Sequence, residues 1–493
     1  MTEENSSLKW WVLLTVIVGT FLGRLDQTIV NLALPKIISE YGITVSSAGW
    51  IATAYIIANA VFVPIWGKLG DTIGRKKVYI IGFSIFILGS VLAGLAWNLP
   101  SMILFRVIQA IAGSADYPTA MAILAVTFPA GKPRAQALGI WSSSFAAATV
   151  LGPLVGGPLI DWFNWRSVFL INLPIGAIGI WMAIKFIHES VSEKKTVIFD
   201  WFGALSLGVT LASLVLVMDR GMDWGWTSTN SLIMYAVVVI SGLFFYVIER
   251  SHSEPIVNFK FFKNPVFLGT IVNNFIVFMG MMGSVFLIPV FAQTYLGYDA
   301  THAGYLFIPM AACMMLAAPL GGRLTGVVEP RYVIGFSTLL SALGIFLFSF
   351  LDPKSTALDI IVPLSVMAFG MGFGMAQRTN VIASVVSPNE IGVASSVLAL
   401  ARNLSGAFGI AIFATILTNT INSNVLNIAK YSIINSLSPA DYQKAAGLII
   451  LKAQVSAYGT VFVVASVLMA IGGLFALFVK TEKNAASHVV HVE

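Results

Sequence analysis

Apolar runs of about 20 residues follow one another along nearly the whole chain, each long enough to cross the hydrocarbon core of a bilayer as a helix. No other feature constrains the fold as tightly. Lipid offers no partner to an unpaired backbone N–H or C=O, so a chain built of such runs is expected to be an all-α integral membrane protein. Only 10% of its residues are charged, against about 25% in soluble domains. A window of about 19 residues gives about fourteen spans. Their cores lie at 11–33, 48–68, 78–97, 102–125, 136–160, 166–187, 201–219, 231–249, 266–292, 303–325, 332–351, 359–377, 391–417 and 456–479. The ninth has room to be longer and kinked.

The basic residues orient these spans. With both termini cytoplasmic, Lys68, Arg75, Lys76, Lys77, Lys132, Arg134, Lys194, Lys195, Arg323, Arg331 and Arg378 fall in inside loops. Outside loops keep only Lys36, Arg166, Arg220, Lys354, Lys430, Lys444 and Lys452. This is the positive-inside bias of a multi-pass protein of the cytoplasmic membrane, and it accounts for the net charge of +6 without nucleic acid. The opening MTEENSSLK lacks the basic region of a cleavable signal, so the first run is expected to remain as a helix. The single cysteine, Cys313, sits within a span and can form neither an internal disulfide nor a cysteine zinc site. The longest polar stretch, 418–454, is expected outside, with room for one or two surface helices and for contact with a periplasmic adaptor protein.

A weak repeat divides the chain. WGKLGDTIGRKKVYI begins at Trp66 and GGRLTGVVEPRYVI at Gly321. Each puts Gly, a basic residue and Leu at the inner end of a helix, with an Arg eight or nine residues on. Repeated halves around a midplane site are a common transporter plan. The expected units are a six-helix half at 1–198, an inserted hairpin at 199–250 and a second six-helix half at 251–493.

Five runs point to one family. Gly67-Lys68-Leu69-Gly70-Asp71-Thr72-Ile73-Gly74-Arg75-Lys76-Lys77 has glycines for a tight turn and an acid suited to helix-start amides or an arginine. It resembles the loop between the second and third helices of the major facilitator superfamily. Gly152-Pro153-Leu154-Val155-Gly156-Gly157-Pro158 is similar to that superfamily's antiporter motif, with Ala148 where an upstream glycine is frequent. Leu25-Asp26-Gln27-Thr28-Ile29-Val30-Asn31 through Pro35 resembles the first-helix motif of fourteen-helix drug:proton antiporters of the EmrB/QacA type. Glu254-Pro255-Ile256-Val257-Asn258 through Asn264 is similar to their linker before the ninth helix, and Arg106-Val107-Ile108-Gln109 fits their fourth. The resemblance implies a major facilitator fold and proton-coupled efflux of small amphipathic compounds, driven by the proton gradient with no cofactor. It implies an inner gate at Gly67, Asp71, Gly74 and Arg75, and antiport bends at Gly152, Pro153, Gly156 and Gly157. Asp116 is a departure, since such relatives commonly have an apolar residue there.

Charges inside spans are costly unless paired or wetted, which makes them candidates for function. Asp26 lies roughly 10 Å below the outer edge of its span and Arg106 roughly 6 Å, by the helical rise. Arg24 and Asp26 point to different sides of one helix. The expected pairs are therefore Asp26–Arg106 and Arg24–Asp116. A carboxylate is favoured ionised beside an arginine and neutral when desolvated, so making and breaking such a pair moves a proton. Asp26 or Asp116 is the expected coupling acid; a static pair joining two helices is the alternative for each. Arg402 is a further intramembrane charge, suited to a gate or a backbone carbonyl. Tyr55, Asn59, Gln109, Asn273 and Asn274 are candidate cavity residues, although polar groups in membranes also join helices. Export or import of one specific metabolite is a second transport reading. An enzyme fits poorly: the five histidines lie outside the span cores, and no H-E-x-x-H, G-x-S-x-G or P-loop occurs.

Overall fold

The computed structural model describes residues 3–43, 45–190, 200–252, 255–298, 300–431 and 439–479. Lys194, Lys195 and Glu254 lie outside these, as does part of the 418–454 stretch. The chain runs α1 (Glu3–Tyr41), α2 (Val45–Ile73), α3 (Arg75–Gly94), α4 (Leu99–Gly113), α5 (Asp116–Thr127), α6 (Lys132–Trp162), α7 (Ser167–Leu170) and α8 (Asn172–Phe186). Next come α9 (Trp201–Trp224) and α10 (Thr229–Ser251). The rest is α11 (Pro265–Tyr295), α12 (Ala300–Tyr305), α13 (Phe307–Arg323), α14 (Pro330–Leu347), α15 (Ala357–Ser384), α16 (Ile391–Tyr431) and α17 (Pro439–Leu474).

Among the described residues, 12 helices are long and apolar enough to cross a membrane. The expected fourth and fifth spans are absent from that set for physical reasons. Residues 102–125 break at Ser114–Ala115 into α4 and α5, and α6 is rich in Ser, Gly and Ala. Both pass through the same bundle, bringing the crossings to the expected number of about fourteen.

Turn chemistry fixes several ends. Asn98 accepts from Ser101 N (2.9 Å) while Ser101 Oγ accepts from Asn98 N (3.2 Å), closing a box at the start of α4. Gly74 joins α2 to α3 at φ 112°, where a side chain would be strained. At the same turn Glu189 accepts from the free amides of Lys76 (3.1 Å) and Lys77 (3.2 Å).

Small residues bring helices together. A Cβ at Gly321 would strike the Phe373 carbonyl, so α13 lies directly on α15. One apolar cluster fills the space among α11 and α13–α17 through Phe291, Met371, Phe348 and Phe462. Another runs from Leu22, Phe86, Met121 and Trp141 to Leu211 on α9 and Leu398 on α16. On α10, Leu232, Ile233, Val239, Ile240, Leu243 and Val247 are all exposed, as a lipid-facing helix requires.

The ninth span is, as expected, longer than its apolar core: one 31-residue helix, α11, running through Pro289. Two expectations change. The polar 418–454 stretch is largely a continuation of α16 and α17, 41 and 36 residues long, in place of separate surface helices. Arg378, expected in a loop, is 1% exposed inside α15, because that helix outlasts its apolar run by two turns.

Candidate functional site

Two polar assemblies lie side by side, one within the first bundle and one between it and α16, with the ring of Tyr55 touching both. The first is a closed knot around Asp26. Arg106 on α4 donates to Asp26 Oδ2 (2.6 Å) in an ion pair almost wholly removed from solvent. Gln109, one turn along, donates to Asp26 Oδ1 (2.9 Å), and so does Asn172 on α8 (2.9 Å). Both amides also donate to Ser90 Oγ on α3, at 3.0 and 2.6 Å, and Ser90 donates to the Phe169 carbonyl (3.0 Å). Tyr55 covers the guanidinium at 4.1 Å. Asp26 thus has three donors from two neighbouring helices and a full counter-charge. Breaking such a pair on one side costs about 3–5 kcal/mol.

The second assembly is a narrow cavity between α1, α2, the α4–α5 break and α16. Its walls include Thr20, Arg24, Gln27, Tyr55, Asn59, Asp116, Tyr117 and Asn403. At the α4–α5 junction the fourth span tightens locally, Ala115 N bonding the Ala112 carbonyl with Ser114 and Ala115 still helical, and Asp116 follows directly on it. Thr20 donates to Asp116 Oδ2 (2.8 Å), while Oδ1 is buried without a partner. Arg24 donates to Gln27 (3.1 Å) and lies 5.0 Å over the Phe145 ring. The expected Arg24–Asp116 ion pair is not formed: both side chains face one cavity, but each is held by a neutral neighbour on or beside α1. Asn403 on α16 donates to Asn59 on α2 (2.9 Å), closing the far wall.

Behind Tyr117 lies Arg402. Its guanidinium is sandwiched between the rings of Tyr117 (4.8 Å) and Phe278 (4.9 Å). Nη2 reaches Thr379 at 3.4 Å, whereas Nε and Nη1 are buried without acceptors. Ring faces return about 2 kcal/mol to a desolvated cation, less than the several kcal/mol effective cost of burying an ion.

The other candidates fall elsewhere. Tyr55 and Asn59 line the cavity, but Gln109 belongs to the Asp26 knot. Asn273 is fully buried in the second bundle, where it accepts from Arg378 Nε (2.7 Å) and donates to Thr338 (3.1 Å) and to the Gly472 carbonyl (2.9 Å). Asn274 beside it is buried with neither amide atom paired. Residues 152 and 156 hold α6 against α1: a Cβ at Gly152 would strike Thr28, and one at Gly156 would press on Ile29 and Leu32. Gly157 faces open space, and the side chain of Pro153 lies outside the described residues.

At the end of the bundle that carries Lys68 and Arg75, the glycine-rich loop ties the first bundle to α16. Asp71 accepts from the Gly392 and Val393 amides (3.1 and 2.9 Å), free donors at the start of that helix. Arg75 donates to Asp71 (3.0 Å) and to the Pro388 carbonyl (2.6 Å). Gly67 lets α2 touch α16, since a Cβ there would lie 2.6 Å from the Gly392 carbonyl. This end is closed.

Sequence reasoning missed Ser90, Thr20, Glu189, Asn172 and Arg378. The last two carried a signal, as a lone amide in an apolar run and as an arginine directly after one. The others are small or terminal polar residues that look like many others.

A multi-pass helical bundle with buried charges around a polar cavity, its first bundle tied to α16 by charged contacts at one end, is the architecture of a membrane carrier. The chain belongs to the Major Facilitator Superfamily, whose sequence model matches residues 16–410. It is 32% identical over 444 residues to the multidrug transporter protein MdtP of Bacillus subtilis, covering 89% of this chain and 80% of that one. It is 29% identical over 418 residues to the riboflavin transporter RibZ of Clostridioides difficile, covering 84% and 90%. In fold it is similar to the crystal structure of the human organic anion transporter MFSD10, with a TM-score of 0.63 at 14% identity over 95% of this chain and 99% of that one.

Proposed function

We propose that the protein exports small amphipathic compounds across the cytoplasmic membrane in exchange for protons, with both termini cytoplasmic and without a cofactor. The observation that carries this is Asp116: an acid lining the cavity, with one oxygen held by Thr20 and the other unpartnered, in the same space as Arg24. Such a group has a place for a proton or for a donor on the substrate, but not for both. Asp26, whose oxygens are filled by Arg106, Gln109 and Asn172, serves as the framework that holds α1, α3, α4 and α8 in register.

The latch of Asp71 and Arg75 on α16 closes the cytoplasmic end in this conformation. Its release, with Gly152 and Gly156 as the close contacts around which α6 moves on α1, exposes the cavity to the other side. In this scheme 1–198 and 251–493 rock against each other, and 199–250 is an insertion. The long extensions of α16 and α17 offer an outer surface on which a periplasmic adaptor would dock; its recovery with the crosslinked protein tests that part.

The exchange is tested in inside-out vesicles by following dye uptake and proton release together. Wild type is expected to release protons when dye is added. Asp116→Asn is expected to lose coupling, with proton release reduced at least tenfold. Asp26→Asn, where it folds, is expected to retain coupling. Undiminished proton release with Asp116→Asn would sink the assignment, and transport without proton movement in wild type would sink the exchange. Transport of one specific metabolite is the second reading, favoured by the narrowness of the cavity walls around Asn59 and Asn403. Saturation by one compound and indifference to a panel of unrelated dyes would select it.

A further inference from the structure

The cavity and its surroundings hold more positive than negative charge. Apart from the balanced Asp26–Arg106 pair, Arg402 and Arg378 are buried in the core and Arg24 is half-buried on the cavity wall, with Arg402 near enough to both of the others for like charges to repel. Asp116 is the one acid among the residues lining the cavity. Arg378 is well dressed by neutral acceptors, namely Asn273 Oδ1, Thr338 Oγ1 and Ser337 Oγ. Arg24 has Gln27 and shares its space with Asp116.

Arg402 is the least compensated of the three. It is 6% exposed, its one acceptor within hydrogen-bond distance is Thr379 Oγ1 (3.4 Å), Nε and Nη1 have none, and the buried Tyr117 hydroxyl lies beside it without a hydrogen bond of good geometry. The rings of Tyr117 and Phe278 cover the faces of the guanidinium, but its N–H groups point along the plane, where a ring face cannot accept. Water would satisfy those donors and leave the charge uncompensated. An oxyanion satisfies both at once, because its oxygens match the forked donors of a guanidinium.

We propose that Arg402 and the Tyr117 hydroxyl form an anion subsite, so that the transported compound is an amphipathic molecule bearing a carboxylate, sulfonate or phosphate. This rests on the transport reading and narrows its substrate class. The anionic group sits at Arg402 Nε and Nη1, and the body of the molecule enters past Tyr117 into the cavity between Tyr55 and Asp116. A donor on that body then displaces the proton at Asp116, so one molecule engages both the fixed cation and the coupling acid.

The test uses purified full-length protein in lipid nanodiscs and three probes with the same ten-carbon tail: decanoate, decanol and decyltrimethylammonium. Tryptophan fluorescence and thermal melting are followed as each is titrated. Decanoate is expected to bind saturably, at least tenfold more tightly than either of the others. Arg402→Gln is expected to erase that preference, Arg402→Lys to restore part of it, and Tyr117→Phe to weaken it several-fold while keeping the fold. Equal response to all three probes in wild type, or an unchanged preference for decanoate in both Arg402→Gln and Tyr117→Phe, would overturn the subsite. Should Arg402→Gln fail to fold, the Tyr117→Phe and Arg402→Lys responses decide. Proton release on the same preparation, reconstituted into vesicles, is scored separately with the dyes, because the decanoate tail carries no donor to displace the proton at Asp116. A decanoate preference without proton exchange leaves the subsite standing and removes the exchange reading, and the reverse outcome removes only the subsite.

Discussion

The two bundles each bury an arginine at the junction of three corresponding helices, and they settle its charge differently. In the first, Arg106 on α4 meets Asp26 on α1, with Ser90 of α3 linked through Gln109 and Asn172. In the second, Arg378 on α15 meets Asn273 on α11, with Ser337 and Thr338 of α14. The first knot is neutral as a whole; the second keeps a net positive charge clothed in neutral dipoles. Arg106 lies at the middle of α4, before α5 completes the span, and Arg378 in the last two turns of α15, so the two knots pin their bundles at different depths. A neutral knot resists opening from either side, because removing one partner strands the other. A cation held by dipoles can be removed with less disruption.

Removing the two arginines in turn is the strongest way to break this contrast. Arg106→Gln leaves the Asp26 carboxylate buried beside amides alone, and is expected to cost about 3–5 kcal/mol. Arg378→Gln strands only neutral acceptors and is expected to cost about 1–3 kcal/mol. Thermal unfolding in detergent, followed by circular dichroism, measures both. Equal losses would mean that the Asn273 knot is as tightly bound as the ion pair and that the contrast is wrong.

The sequence made the first knot readable and concealed the second. Asp26 and Arg106 stand out as charges deep in apolar runs, and depth arithmetic on antiparallel helices suffices to pair them. Arg378 follows directly on its run, where a hydropathy window places a loop; nothing local reveals that α15 continues for two more turns, since only packing against α11, α13 and α14 supplies the acceptors and neighbours that keep it inside. The α4–α5 break was hidden for a similar reason. Pro118 and Gly113 flank it, but both occur within regular membrane helices as well, so the tightened turn just before Asp116 has no local mark. The missing Arg24–Asp116 pair follows: charge and depth bring the two into one cavity, whereas the side-chain contact depends on Thr20 and Gln27, which no charge pattern marks.

A solvent-exposed ion pair shows what the first would be worth in water. Glu40, beyond the membrane-spanning part of α1, pairs with Arg166 Nη2 (2.7 Å) and accepts from the Trp165 indole, with both charged side chains substantially exposed. The Arg166 guanidinium, helped by that indole N–H, holds the Glu40 carboxyl below the usual carboxylate range. A carboxyl with a depressed native pKa contributes stability that is present above its unfolded value and fades as pH falls through the native one. Because the pair is open to solvent, that contribution is expected to stay within about 1 kcal/mol and to shrink in salt. Glu40→Gln is therefore expected to lower the melting temperature slightly at pH 7 and to match wild type once acid has protonated Glu40. Asp26→Asn is expected to unfold far earlier than wild type at pH 7, in high or low salt alike. A Glu40→Gln loss as large as that of Asp26→Asn would show that burial is not what separates the two pairs, and the assignment of Asp26 to the framework would lose its physical basis.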